Sequence, residues 1–169
     1  MPDVRVREAT PEDADAIADV HAAAVRELGG SDYDDRQVLA WLANVHPERY
    51  PIDEADAGIR VVVAERGDRL AGFGWLDCDP SGRDESTAEI VAVFVRPDAV
   101  REGIGRAILE RLERLARDAG LEAIVLVASK HAIDFYRRQG YEDDETVELE
   151  MTDDVSLAGL RMRKRLSPS

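Results

Sequence analysis

Lysine is almost missing from this chain. Only two of its 22 basic residues, Lys130 and Lys164, are lysines, and 36 acidic residues give a formal net charge of −14. Phosphate backbones demand a dense basic footprint, so this balance argues against a nucleic-acid partner. Cysteine is scarcer still: Cys78 stands alone and can form no internal disulfide, which makes a reducing, cytoplasmic setting the default expectation. No apolar stretch approaches the ~18 residues of a membrane span; the longest lies between Ala123 and Ser129. The N-terminal residues 1–13 are charged and lack an apolar signal core, so neither membrane nor export is expected. No His/Cys/Asp/Glu set has metal-ligand spacing, and no metal is expected.

What is present is a globular composition, 44% apolar over 169 residues, sized for one domain spanning 1–169. The acid-rich, arginine-rich surface is that of a protein kept soluble in concentrated salt, where a Debye length of about 3 Å at 1 M screens self-repulsion. An acidic mesophilic protein from a GC-rich genome is the alternative.

Alternation at Val4 and Val6 predicts a short first strand, and Thr10-Pro11-Glu12-Asp13 reads as a helix start with Thr10 as N-cap. Ile17, Val20, His21, Ala24, Val25 and Leu28 share one helical face. A second helix is expected from Asp34 to about Asn44, then a loop to Ala57. Strands at Ile59–Glu65 and Leu70–Asp77 flank a hairpin turn, and a third ends near Arg96-Pro97. A helix from about Gly105 to Ala119, a strand at Ala123–Ala128 and a short helix at His131–Gln139 follow. Two final strands, Tyr141–Met151 and about Leu157–Leu166, form a hairpin with a longer loop around Asp153-Asp154. The order is β-α-α-β-β-β-α-β-α-β-β, an α/β (α+β) domain. A dinucleotide-binding domain would place its glycine turn after an early strand; here Gly103 and Gly105 follow the fourth.

That turn opens a helix. Unpaired N–H groups and the positive dipole end make a cradle for an anion, with Arg101 and Arg106 alongside. Glycines that merely permit a tight turn are the plainer reading.

The element order, with FVRPDAVREGIGRAIL and SKHAIDFYRRQGY, resembles the GCN5-related N-acetyltransferase (GNAT) superfamily. The resemblance implies a mixed, mostly antiparallel sheet of about seven strands flanked by about four helices. The family motif Q/R-x-x-G-x-G/A falls on Val100, Arg101, Glu102, Gly103, Ile104 and Gly105, with valine in place of Gln or Arg. By resemblance, the N–H groups between Arg101 and Arg106 hold the pyrophosphate of acetyl-CoA. The backbone of Phe94 and Val95 pairs with its pantetheine arm where the fourth and fifth strands part. Ser129, Ala132 and Tyr136 match the family's second pattern. Ser129 would contact the cofactor arm or simply cap a helix; Tyr136 would protonate the departing coenzyme A thiolate or simply pack on it. Glu89, in an Ala-Glu-Ile context similar to that of the histone-acetylating branch, is the candidate base; a solvated strand-end glutamate is the alternative.

The resemblance therefore implies acetyl transfer to a primary amine, small or peptidic, by direct attack, with coenzyme A as product and no metal. A non-catalytic acyl-CoA-binding or regulatory module on the same fold is the competing reading. The family often forms homodimers. Tyr33, Trp41, Tyr50 and Trp75 are candidates for the acceptor pocket, and an acidic protein suits cationic amines. His21, His46, His131 and Cys78 carry weaker functional readings. If the acidic surface is an adaptation to salt, the melting temperature rises between dilute and molar KCl; a flat or falling melting temperature refutes it.

Overall fold

Seven strands and four helices follow one another in the order that the sequence predicts. The computed structural model describes residues 4–28, 33–52, 58–79, 86–99, 103–152 and 155–166. Strands β1 (Val4–Glu8), β2 (Ile59–Arg66), β3 (Arg69–Asp77), β4 (Thr87–Val95), β5 (Ala123–Ala128), β6 (Glu142–Thr152) and β7 (Val155–Arg165) form one sheet. Its spatial order is β1-β2-β3-β4-β5-β7-β6. Every neighbouring pair is antiparallel except β4 and β5. A parallel pair needs a crossover, which α3 (Ile104–Asp118) supplies. Helices α1 (Ala14–Leu28), α2 (Asp35–Leu42) and α4 (Ile133–Arg138) complete the fold.

Each face of the sheet carries its own core. Val62, Leu76, Ile90 and Leu126 pack with Ile104, Ile108 and Leu112 of α3. On the opposite face Val61, Val63 and Phe73 pack with Ile17 and Val20 of α1. Residues of alternate parity on β2 thus serve opposite cores, as the pleat requires. Helix α3 lies close to the sheet because β3 has glycines beneath it. A Cβ on Gly74 would stand 2.6 Å from Ile108 Cγ2, and one on Gly72 2.9 Å from Ile108 Cδ1.

Local chemistry sets the boundaries. Asp34 caps α2, its carboxylate accepting from the Gln37 N–H at 2.8 Å while Gln37 Oε1 accepts from the Asp34 N–H at 3.0 Å. The proline-led start expected at Thr10 is a 3₁₀ turn, Pro11–Asp13, before α1. The short helix after β5 likewise begins as a 3₁₀ turn at Lys130–Ala132. The last hairpin is tighter than expected: Thr152 already pairs with Val155, and Asp153 and Asp154 lie outside the described residues. Edge strand β6 exposes Glu142, Asp143, Asp144 and Glu145, charges that discourage pairing with another sheet.

One buried carboxylate braces the α3 layer. Glu113 is 5% exposed. The Tyr141 hydroxyl donates to its Oε2 at 2.9 Å, and Lys164 Nζ donates to its two oxygens at 3.0 and 3.2 Å. The same ammonium donates to the Gln139 carbonyl at 2.9 Å, joining α3, the end of α4 and β7. Burial and then the neighbouring carboxylate push the Tyr141 phenol well above its ordinary pKa, so its proton stays on to donate. Lys164→Met leaves the buried charge only Arg117, 3.8 Å away, as a cation among the described residues and is expected to cost about 1.5–3 kcal/mol, whereas Tyr141→Phe costs about 1 kcal/mol; urea denaturation measures both.

Candidate active site

Strand β4 abandons its parallel neighbour halfway along. The two strands pair from Thr87↔Ala123 to Ile90↔Leu126 and no further. At that point β4 carries an extra residue: Trp75 pairs with Ala92 and Leu76 with Ile90, leaving Val91 as a bulge. Bulges bend the strand and raise its twist, and here the bend turns β4 away from β5. Beyond it, Arg96 donates its N–H to the Ala71 carbonyl at 2.8 Å. Backbone groups alternate along a strand, so Phe94 bonds toward β3 while Val93 and Val95 face the gap. Phe94 reaches the gap with its ring.

A cavity of about 280 Å³ occupies this split and runs through the sheet. One half is walled by Ser129, Ala132 and Tyr136, which follow β5, together with Leu126 and Ala128. The other half is walled by His21 of α1, Trp41 of α2, Tyr50, and Trp75 and Phe94 of the sheet. No Asp, Glu, Lys or Arg stands among the described residues of the wall.

Of the residues singled out in the sequence, Phe94, Ser129, Ala132 and Tyr136 meet here, as do the pocket candidates Trp41, Tyr50 and Trp75 and the histidines His21 and His131. Tyr136 is 6% exposed and lies edge-on to Phe135 and Tyr141 at 5.2 and 5.6 Å. Burial pushes its phenol well above the usual value, so the hydroxyl remains a proton donor at neutral pH. Ser129 does not cap the turn that follows it: its Oγ lies 3.0 Å from His131 Nδ1. The Ala132 N–H is held by the Ser129 carbonyl instead, at 2.9 Å.

The glycine turn stands at the head of α3. Gly103 is the N-cap, left-handed at φ 81°, and nothing lies within 4 Å of where its Cβ would be. The first turn carries no acidic residue, so the unpaired N–H groups from Ile104 to Arg106 keep their positive field. Ile104 itself is buried under Gly72. A Cβ on Gly105 would touch the Phe135 ring at 3.5 Å and Val95 Cγ2 at 3.7 Å, so this turn abuts both α4 and the end of β4. The Arg106 guanidinium pairs with Glu110 at 3.0 Å on the exposed side. Val100, Arg101 and Glu102 lie outside the described residues.

Glu89 is placed differently. It is half-buried, paired with Asp77 on β3 and Val125 on β5, where the strands are still joined. It is not among the described residues of the cavity wall. Tyr33 is not either; it is a strut, its hydroxyl donating to the Ala158 carbonyl and accepting the Lys130 N–H, both at 3.1 Å. Cys78 is half-buried away from the wall, its thiol pKa raised by burial. His46 pairs with Glu48 at the surface.

Several wall residues escaped the sequence reading. Asn44 donates to the Met151 carbonyl at 2.8 Å, and with Leu149 and Met151 it brings α2 and β6 to the cavity. Apolar Val147, Leu149 and Met151 alternating with acids in an edge strand were the available signal. His21 Nδ1 lies 2.9 Å from the Tyr50 hydroxyl, and its ring centroid lies 4.4 Å from that of Phe94. Among the described residues, no cluster of three His, Cys, Asp or Glu could hold a metal ion, and no helix is long and apolar enough to cross a membrane.

Comparison with known proteins bears on this geometry. The profile of the acetyltransferase (GNAT) family matches residues 23–141. A protein of Azospirillum brasilense named IAA acetyltransferase is 39% identical over 92 residues, 53% of this chain and 58% of that protein. A GCN5-related N-acetyltransferase structure from Rhodopseudomonas palustris superposes with a TM-score of 0.80 at 26% identity, covering 98% of this chain and 96% of that one. The PaiA N-acetyltransferase of Thermoplasma acidophilum, solved in complex with coenzyme A, shares the fold at a TM-score of 0.78 and 17% identity, over 96% and 99% of the two chains. The chain spans about half to two thirds of the length of the curated relatives it matches first.

Proposed function

This chain belongs to the acetyltransferase (GNAT) family, and from that premise we propose that it transfers an acetyl group from acetyl-CoA to an amine by direct attack. The observation that carries the reading is the split between β4 and β5, with the buried Tyr136 on one wall of the resulting cavity. The residues present fit the cofactor. A Gly103 with no described residue within 4 Å of where its Cβ would stand, unpaired N–H groups behind it and a first turn free of acids suit a pyrophosphate. The outward amides of Val93 and Val95 suit the amide-bearing arm.

Bound acetyl-CoA supplies the thioester whose carbonyl carbon the amine attacks, the C–S bond breaking as the C–N bond forms. Residues of this chain do the rest. The amide groups of β4 near Val95 donate to the developing oxyanion. Tyr136 gives its phenolic proton to the sulfur as it leaves. Ser129, at the mouth beside His131, contacts the cofactor arm. By the family resemblance, Arg101, Glu102, Gly103, Ile104, Gly105 and Arg106 would contribute backbone N–H groups to the phosphates, Arg101 and Glu102 lying outside the described residues. Because Glu89 stands off the wall, it takes the amine proton only through water. That placement also favours a second reading, a non-catalytic acyl-CoA-binding module. Release of coenzyme A thiol from acetyl-CoA in the presence of mixed amines separates the two.

Gly103→Val forces a β-branched residue into a left-handed conformation, a strain of about 1–2 kcal/mol or more. Weaker acetyl-CoA binding is expected by calorimetry, with the thermal melt recording any loss of fold. Tyr136→Phe removes the proton donor and is expected to lower kcat by roughly 10²-fold with acetyl-CoA affinity unchanged; equal turnover in variant and parent removes Tyr136 from the role.

A further inference from the structure

The two halves of the cavity differ in chemistry, and the half away from Tyr136 is unlike the rest of the protein. Aromatic residues are few, 5% of the chain, comprising three Phe, two Trp and four Tyr. Six of them join His21 in one continuous ring cluster on the α1–α2 face. Trp41, Tyr50, Trp75 and Phe94 of that cluster reach the cavity wall. Among the described residues, three large apolar side chains stay exposed, and two of these, Val91 at 43% and Leu149 at 36%, line the same cavity. Trp75 Nε1–H is buried with no acceptor among the described residues.

A polycation needs carboxylates to replace the water it leaves, and the described wall has none. Rings offset or edge-on to one another take up a further ring favourably. A dry cavity of about 150 Å³ accepts benzene, so 280 Å³ leaves room for a ring beside the reacting groups. We propose that the acceptor is a small aromatic amine, its ring seated among Trp41, Tyr50, Trp75 and Phe94, rather than the cationic amine that the acidic exterior suggests. The proposal rests on the reading that acetyl-CoA fills the other half, and the bonds made and broken are those given above. The described part of the wall also offers a bound ammonium no counter-charge, which favours the neutral amine whose lone pair attacks.

The test uses the full chain. Acetyl-CoA binding is measured first by calorimetry. Thiol release is then followed with 2-phenylethylamine and 4-methoxyaniline against spermidine and lysine. An aromatic amine is expected to exceed both polar amines in kcat/KM by about 10-fold or more. Trp41→Leu is expected to lower kcat/KM for the aromatic amine by about 10-fold, through KM, with acetyl-CoA affinity kept. Val91→Glu, at an exposed bulge where folding is least at risk, places a carboxylate in the wall and shifts the preference toward spermidine. Preference of the parent for spermidine or lysine overturns the proposal. So does acetyl-CoA binding with no turnover of either aromatic amine, or a Val91→Glu variant with unchanged selectivity. Failure to bind acetyl-CoA is a distinct result: it removes the preceding reading and this one with it.

Discussion

Two strands that should run side by side part company after four residue pairs, and most of the molecule is arranged to make that tolerable. A β-strand leaving its neighbour forfeits ladder hydrogen bonds, and a buried amide left unpaired costs about 1–3 kcal/mol. The separation from Val91 onward is held from both sides. On one face Phe94 is pinned by the rings of Phe73, His21 and Trp41. On the other, Val93 and Val95 pack into the core beneath α3. The Val91 bulge supplies the bend, and the antiparallel pairing with β3 continues through it. The gap thus opens on an edge of β4 that pairs with no strand beyond Ile90 among the described residues, which is the chemistry that an amide-containing arm can complete.

The aim of α3 depends on a second set of constraints. Its apolar stripe sits on β3 where Gly72 and Gly74 leave no side chains in the way. Farther along the helix, the contacts of Glu113 with Tyr141 and Lys164 fasten it to β7 and to the end of α4. A buried ion pair is a poor source of net stability but a good device for fixing one arrangement. Here it fixes the helix whose head presents Gly103. The chain's other lysine, Lys130, also has a fixed place: its ammonium lies 5.4 Å from the centre of the Tyr33 ring, beside the turn that begins with Ser129. In a sequence that has all but dispensed with lysine, Lys164 sits where α3, the end of α4 and β7 meet and Lys130 at the turn into α4.

What the sequence made legible was local. Gly103 is left-handed at a helix head, as its place between a strand and an amphipathic stripe implied. The spacing of Ser129, Ala132 and Tyr136 carried them to one wall because a turn and a short helix convert spacing directly into position. The Val91 bulge left no such mark, since Ile90-Val91-Ala92 reads as an unbroken strand. That one extra residue matters for Glu89, whose row is still paired on both sides. The far wall was illegible for another reason: Asn44, in the turn after α2, and Leu149 and Met151 of β6 lie about a hundred residues apart, and only the sheet order brings them together. Tyr33 read as a pocket residue for want of any sign that its hydroxyl was engaged.

The absence of a carboxylate from the described wall changes how the proton problem should be posed. An amine near pKa 10.4 is mostly protonated at neutral pH, and removing that proton in water takes roughly 4–5 kcal/mol. A base at hydrogen-bond distance is one solution. The other is a site that disfavours the charged form, because burial without a counter-charge shifts an amine's pKa downward. Trp41, Trp75, Phe94, Val91 and Leu149 form such a surface within a chain of net charge −14. On the proposed reading the exterior field would draw cations toward the protein, and the described wall, lacking a counter-charge, would favour them without their extra proton. If an amine is the acceptor, as proposed, Glu89, half-buried in the sheet, would need only to receive the proton through solvent, and selection among amines would fall to the rings.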